Sequence, residues 1–433
     1  MTGVLIGVTA MLFLMLANGA PVAFAMLGTG IIGVYLVAGS FPLEGVLVTA
    51  PYETVASYTL TTLPMFILMG EFLTAGRFTR DIFDTSYRWL GHLRGGLGYA
   101  AITGGVLLAA VTGSSTAAAS TLASAAYPEM KRFGYKDSLS TATLAVVGTL
   151  AILIPPSVTL IIYGILTETS VGALLAAGVV PGVLTAFGFF VAIRLSVQID
   201  PESAPVSPRQ ATLKEKVNSL RTVWPIALLI IAMMAGIYSG AVTVTEIGAI
   251  GALTAFLIAL LMGRLTWSNF FAALVRATRS SAMILTIIAS AAVFGIFITL
   301  TQVPQNLLSH VQEAEMNRWA VFAIVMAIML VLGFFLDQLA ILVLTLPIIF
   351  PILVALNFDA VWLGIIIIKT VEIGLITPPM GLNCFVVSSV TGVPVHRVFR
   401  GVWIFVGIDF AVLILLATFP ELSLALPRWA ALR

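Results

Sequence analysis

Four short runs in this 433-residue sequence carry oxygen ligands and freed backbone groups at matching spacings. Gly113, Ser114, Ser115 and Thr116, preceded by Thr112, form a polar run inside an apolar stretch, and Asp337 with Gln338 forms another. GTLAILIPPS (148–157) carries Pro155, Pro156 and Ser157. EIGLITPPMGLN (372–383) carries Pro378 and Pro379 between Thr377 and Gly381. Proline has no amide hydrogen and clashes with the carbonyl one turn back. A Pro-Pro pair inside an apolar helix therefore strands several carbonyls, which at membrane depth need another partner. A sodium ion can be that partner, with the hydroxyls of Ser114, Ser115, Thr116, Ser157 and Thr377 as further oxygen ligands. The helix that restarts after each break presents a positive dipole end, which suits a carboxylate.

The candidate ion- and substrate-binding residues are therefore Gly113, Ser114, Ser115, Thr116, Ala151, Ile154, Pro155, Pro156 and Ser157 in one half. In the other they are Asp337, Gln338, Glu372, Gly374, Thr377, Pro378, Pro379, Gly381 and Asn383. Sodium is expected near Ser114, Ser115, Ala151, Pro156, Gly374 and Thr377. One Pro-Pro kink among small residues would be an ordinary packing feature of membrane helices. Two at equivalent positions, each with a polar run, are the device of discontinuous-helix ion sites. Ser120, Thr121 and Ser124 read as residues that let helices approach closely.

Intramembrane charges are functional by default, which singles out Asp337 and Glu372. Lys369 lies one helical turn before Glu372, so a structural ion pair stands as an equal reading. Glu71, Glu246 and Asp409 are read as structural charges nearer span ends, His92 and His310 as loop residues, and Cys384 as an apolar filler. A single cysteine and three scattered histidines exclude an internal disulfide and the usual zinc spacings. There is no phosphate-binding G-x-x-x-x-G-K-[ST] loop, G-x-S-x-G elbow or H-E-x-x-H helix, so nothing points to an enzyme.

The elements that hold these residues are membrane helices. Hydrophobic residues make up 60% of the chain and charged ones 9%, against roughly 25% charged in a soluble domain. A net charge of +2 gives no case for nucleic acid. Apolar stretches recur near 2–17, 22–38, 57–75, 97–128, 139–166, 172–195, 222–239, 243–263, 280–301, 319–351, 361–389 and 401–419, and about 20 residues suffice to cross the hydrocarbon. No Lys or Arg precedes the first run, so it reads as a span rather than a cleaved signal peptide.

Residues 197–221 are polar and proline-bearing, a cytoplasmic linker composition that divides the chain into halves 1–196 and 222–433. Basic residues cluster in 76–95, 129–138, the linker and 396–400, whereas 39–56, 302–317 and 352–360 have none. The positive-inside rule puts the first group in the cytoplasm and the second outside. The paired run 97–128 then enters and leaves from the cytoplasm, and 319–351 from outside, so both read as re-entrant hairpins of opposite entry. A single offset of 223 lays Pro128 on Pro351, Pro155–Pro156 on Pro378–Pro379, and Ser114 on Asp337. The expected fold is all-α: an inverted-repeat polytopic membrane protein with two re-entrant helical hairpins and two Pro-Pro-broken helices. Scaffold spans fall in 1–75 and 222–301, hairpins in 97–128 and 319–351, broken helices in 139–166 and 361–389, and a last span in 401–419.

On GSSTAAASTLASAAYPEMKRFGY (113–135), GTLAILIPPSVTLIIYG (148–164), LDQLAILVLTLPIIFPI (336–352) and EIGLITPPMGLNCFVV (372–387), the sequence resembles the large membrane subunit of tripartite ATP-independent periplasmic (TRAP) transporters, dicarboxylate type. The resemblance covers essentially the whole chain. It implies an elevator mechanism in the bacterial inner membrane, sodium coupling, a small four-span membrane subunit, a periplasmic substrate-binding protein, and a small organic acid anion such as a C4-dicarboxylate or sialic acid as cargo. Ala151 departs from the family, which commonly has glycine there. The small subunit reads as not fused at the N-terminus. Two competing readings are a stand-alone sodium–anion symporter of related elevator design and a non-transporting membrane scaffold; the second leaves the polar runs unexplained.

Overall fold

A computed structural model describes residues 2–206 and 211–430, and every regular element among them is helical. The first half runs through α1 (Thr2–Ala17), α2 (Val22–Ala38), α3 (Ser40–Val55), α4 (Thr62–Ala75) and α5 (Phe78–Leu90). It continues with α6 (Gly96–Thr112), α7 (Ser115–Arg132), α8 (Asp137–Leu153), α9 (Val158–Leu166) and α10 (Val171–Ile199). The second half holds α11 (Leu213–Tyr238), α12 (Val244–Leu261), α13 (Trp267–Leu300), α14 (Val303–Glu313) and α15 (Arg318–Phe335). After these come α16 (Gln338–Ala355), α17 (Ala360–Gly374), α18 (Leu382–Thr391), α19 (Val395–Thr418) and α20 (Glu421–Trp429). Among the described residues, seven helices are long and apolar enough to cross a membrane, or up to nine if each of two bent pairs counts as one span. The chain is an all-α polytopic membrane protein.

Helix bounds follow the sequence offset closely. Shifted by 223, residues 115–132 fall on 338–355, the bounds of α16, and 96–112 fall on 319–335, within α15. Residues 137–153 fall on 360–376, against α17 ending at Gly374. Both Pro-Pro bonds are cis.

Several elements differ from the sequence reading. The polar segment 197–221 is not all linker: α10 runs to Ile199 and α11 begins at Leu213. Thr212 and Glu215 close a capping box there, with the Thr212 amide donating to Glu215 Oε2 at 2.8 Å. That T-x-x-E pattern starts a helix before its apolar run begins. Residues 207–210, with Pro208 and Arg209, lie outside the described residues. The stretch read as 280–301 starts at Trp267, where the Thr266 hydroxyl caps the Asn269 amide at 3.2 Å. Residues 39–56 and 302–317, read as loops, hold α3 and α14, and the basic stretch 76–95 holds α5. Helices α5 and α14 are short and polar and give no long apolar run to detect, whereas α3 is apolar and joins the next helix in a bent pair.

Two packing groups emerge. In one, α13 lies along α2, α3 and α4, and α12 along α4. A Cβ on Gly30 would sit 2.9 Å from Phe294 N, so α2 and α13 touch backbone to backbone. In the other, α8 packs against α6, α7 and α19, and α17 packs against α15. The second group holds both Pro-Pro breaks and both polar runs.

Candidate functional site

The first polar run lies at the turn between α6 and α7. Gly113 takes φ 57, a left-handed backbone that favours glycine. A Cβ there would fall 2.9 Å from Val158 Cγ2, so the turn rests on the first residue of α9, just past Pro155 and Pro156. Ser114 occupies the N-cap of α7, yet its hydroxyl makes no cap bond and lies 3.4 Å from Thr116 Oγ1. Ser115 is buried and accepts a hydrogen bond from Asn383 Nδ2 at 2.6 Å. The same amide donates to the Ala145 carbonyl at 3.2 Å, while Asn383 Oδ1 is buried with no partner. Asn383 thus ties the first turn and α8 to α18, an element of the other half. The reciprocal contact places α9 on α16, where the Tyr163 and Phe350 rings meet edge-on at 6.1 Å.

At the breaks, some of the carbonyls expected to await a cation have protein donors. The Ser157 hydroxyl donates to the Ile152 carbonyl and accepts from the Leu160 amide at 3.3 Å. Thr377 Oγ1 donates to the Ile373 carbonyl at 2.6 Å, and the Asn383 amide to the Leu375 carbonyl at 3.0 Å. Each hydroxyl keeps lone pairs for a further ligand. Gly178 and Gly182 let α10 lie flush on the first break; Cβ atoms there would fall 2.4 Å from the Leu153 carbonyl oxygen and 2.6 Å from Ile154 Cγ1. Ala151 is buried, and its equivalent Gly374 faces Gly333 so closely that a Cβ would come within 2.7 Å of Gly333 Cα. That contact joins the second break to the last turn of α15. Gly381, which opens α18, takes φ 52.

Asp337 begins α16. It is exposed and caps α16, accepting from the Leu339 and Ala340 amides at 2.8 and 2.9 Å. Gln338 beside it is buried, with Oε1 unpartnered. Losing an N-cap carboxylate costs about 1 kcal/mol. Asp337→Ala is therefore expected to lower thermal stability and Asp337→Asn to restore it. Uptake by Asp337→Asn equal to wild type would assign the carboxylate to capping alone.

Glu372 has the richest surroundings. Lys369, Glu372 and Asp409 are all fully buried. Lys369 Nζ lies 2.7 Å from Asp409 Oδ1, 3.2 Å from Glu372 Oε1 and 3.0 Å from Thr185 Oγ1. Thr149 donates to Glu372 Oε1 at 2.8 Å across a sequence separation of 223. Residues equivalent under the offset of 223 therefore touch each other. The structure joins the ion-pair reading of Lys369 to the intramembrane-charge reading of Glu372. Asp409 stands near the middle of α19, not at a span end. Sequence reasoning did not single out Thr149 or Thr185, and it read Asp409 as a structural charge without its partner Lys369. The signal for Thr149 was present, since the offset lays it on Glu372. Glu71 pairs with Arg276 at 2.7 Å, and Glu246 closes a capping box with Thr243. Among the described residues, no group of three His, Cys, Asp or Glu could hold a metal ion.

A crevice of about 960 Å³ is lined, among others, by Thr54, Ser57, Gly164, Glu168, Thr243 and Gly295. Among the described residues, no lysine or arginine lines it.

The family described as tripartite ATP-independent periplasmic transporter, DctM component, matches residues 9–422. The C4-dicarboxylate TRAP transporter large permease protein of Pseudomonas aeruginosa is 36% identical over 87% of this chain and 88% of its own. The sialic acid TRAP transporter large permease protein of Vibrio cholerae is 30% identical over 86% of this chain and 87% of its own. In fold, the chain is similar to the Alcanivorax borkumensis YdaH transporter, with a TM-score of 0.69 over 92% of this chain and 97% of that one at 11% identity.

Proposed function

Because the chain belongs to the DctM family of tripartite ATP-independent periplasmic transporters, we propose that this inner-membrane permease drives uptake of a small organic acid anion with sodium as the coupling ion. The cargo class is a C4-dicarboxylate, a sialic acid or a similar carboxylate, as in the relatives' names. A periplasmic binding protein delivers it, and a small membrane subunit completes the assembly. The two halves form an inverted repeat, and the group carrying both hairpins and both broken helices moves against the scaffold as an elevator.

The observation that carries this reading is the double device of polar turn and broken helix at one offset, with Gly113 seated on the first break and Asn383 crossing between halves. Such discontinuous helices bring carbonyls and helix N-termini to the bilayer midplane, where sodium and a carboxylate can bind together. Proteoliposomes holding the chain, its small subunit and its binding protein are expected to accumulate the anion only under an inward sodium gradient. Equal accumulation without sodium would sink the coupling.

The inverted arrangement has its own test. Cysteines replacing Arg132 and Ala355, at the equivalent ends of α7 and α16, are expected to react with an impermeant maleimide from opposite sides of the membrane. Both positions are exposed, whereas the native Cys384 is buried. Reaction from one side would exclude opposed hairpins.

A further inference from the structure

A groove of about 400 Å³ opens where the turn between α5 and α6 meets α10. From α10 it is lined by Phe187, Phe190, Val191 and Arg194, the i, i+3, i+4 and i+7 positions of one helix face. Leu93 and Arg94 line it from the turn, and Tyr99 of α6 meets Phe190 edge-on at 5.4 Å. Two glycines press the turn onto α10. Gly95 takes φ 82, and Cβ atoms on Gly95 and Gly98 would fall 2.9 and 2.8 Å from the Ile193 side chain. The backbone beside Arg94 therefore lies against the residue that precedes Arg194. Both arginines are exposed, and among the described residues neither has a hydrogen bond, an ion pair or a ring contact. No acid stands ready to compensate them. Helices α6 and α10 contain no Asp or Glu, and Asp200, just past α10, pairs with Lys136 at 2.6 Å. On α5, Asp81 pairs with Arg264, and Asp84 faces a separate cavity with Arg80 and Arg88.

We propose that this groove binds an anionic phospholipid, with its phosphate between Arg94 and Arg194 and an acyl chain along Phe187 and Val191. Charge and depth both select that occupant. Two guanidiniums without a counter-ion suit a phosphate, whose oxygens match their forked donors. Arg194 ends the uncharged run that starts at Val171, so the apolar wall lies at hydrocarbon depth and the cations at head-group level. Phe187 is 65% exposed on this spanning helix and faces outward, where a lipid chain can cover it. A soluble anion would leave that wall bare. Arg94 belongs to the segment 76–95 that the positive-inside rule assigns to the cytoplasm, whose leaflet carries anionic lipid. Basic pockets between membrane helices on that side are known to hold phospholipid head groups. A lipid seated here ties the α5–α6 turn to α10. The site shares no residue with the polar turns or the breaks and does not rest on the ion-coupling reading.

Native mass spectrometry of the full chain, titrated with phosphatidylglycerol in detergent, counts the bound lipid directly. One basic residue near anionic head groups is worth roughly fivefold in affinity, so Arg94→Gln with Arg194→Gln is expected to weaken binding about thirtyfold. Neither side chain has a protein partner, so the lipid-free variant is expected to melt with the wild type. Lys214→Gln with Arg221→Gln removes two cations from a different basic surface, on α11, and is expected to leave the tight site unchanged. Equal weakening by the two pairs would reduce the binding to diffuse attraction and overturn the proposal. Phe187→Ala tests the chain: it is expected to weaken phosphatidylglycerol and to leave any binding of inorganic phosphate alone. Inorganic phosphate binding as tightly as the lipid would make the site one for a soluble anion and overturn the proposal. Phosphatidylglycerol is expected to stay bound when the small membrane subunit is present. If the subunit expels it and the arginine variant no longer co-purifies with the subunit, a protein covers the groove and the proposal fails.

Discussion

Lys369→Ala is expected to cost about 3–5 kcal/mol of stability, the range for removing one partner of a buried ion pair. The ammonium is fully buried and donates to Asp409 and Thr185, with Glu372 at 3.2 Å. Without it, the two buried carboxyls lose the ammonium that pairs with them. The loss should appear as a much lower melting temperature in detergent and a lower yield of inserted protein. Removing every charge should reverse most of the effect. Lys369→Met combined with Glu372→Gln and Asp409→Asn leaves a packed polar cluster with nothing ionised, and such replacements of buried ion pairs are often neutral in stability. A single Lys369→Ala variant that melts with the wild type would show that the cluster is hydrated, against the burial of all three groups. A triple variant as unstable as the single one would show that shape rather than charge decides.

The parts of this fold that read directly from the sequence are those that depend on composition and on local backbone chemistry. Apolar length locates the spans, and Pro155–Pro156 and Pro378–Pro379 locate the breaks, because proline acts on the chain wherever it stands. The offset of 223 anticipates the equal bounds of α7 and α16. What stays hidden depends on which helix lies beside which. Asp409 meets Lys369 across 40 residues because α19 packs near α17, and no spacing within either helix announces that. Asp337 looks like an intramembrane charge, yet a turn that starts a helix also wants a cap, and the two demands look alike in one dimension. Helices α5 and α14 escape for a third reason: short polar helices carry no long apolar run.

Ser114→Ala is expected to weaken the sodium dependence of uptake while leaving the fold intact, and Ser114→Ala with Ser115→Ala to weaken it further. The two hydroxyls are held differently. Ser115 is buried and accepts from Asn383, so its loss strands an amide proton and should lower stability by about 1 kcal/mol. Ser114 stands at a position where serine normally caps a helix, yet it does not cap α7 and makes only a long 3.4 Å hydrogen bond with Thr116 Oγ1. Its oxygen is therefore available to a ligand at the turn, beside the Gly113 contact with α9. Removing one supporting group at a metal site typically weakens affinity by 10–100-fold. For Ser114→Ala the sodium concentration that gives half-maximal uptake is expected to rise by roughly the lower figure, with an unchanged melting temperature. Uptake should recover at high sodium, because the carbonyls freed at the break remain. The equivalent residue Asp337 offers the internal control: it caps its helix, so Asp337→Asn should move the sodium curve less than Ser114→Ala does. An unaltered sodium curve in both serine variants would remove the first turn from the ion site and leave its hydroxyls a packing role.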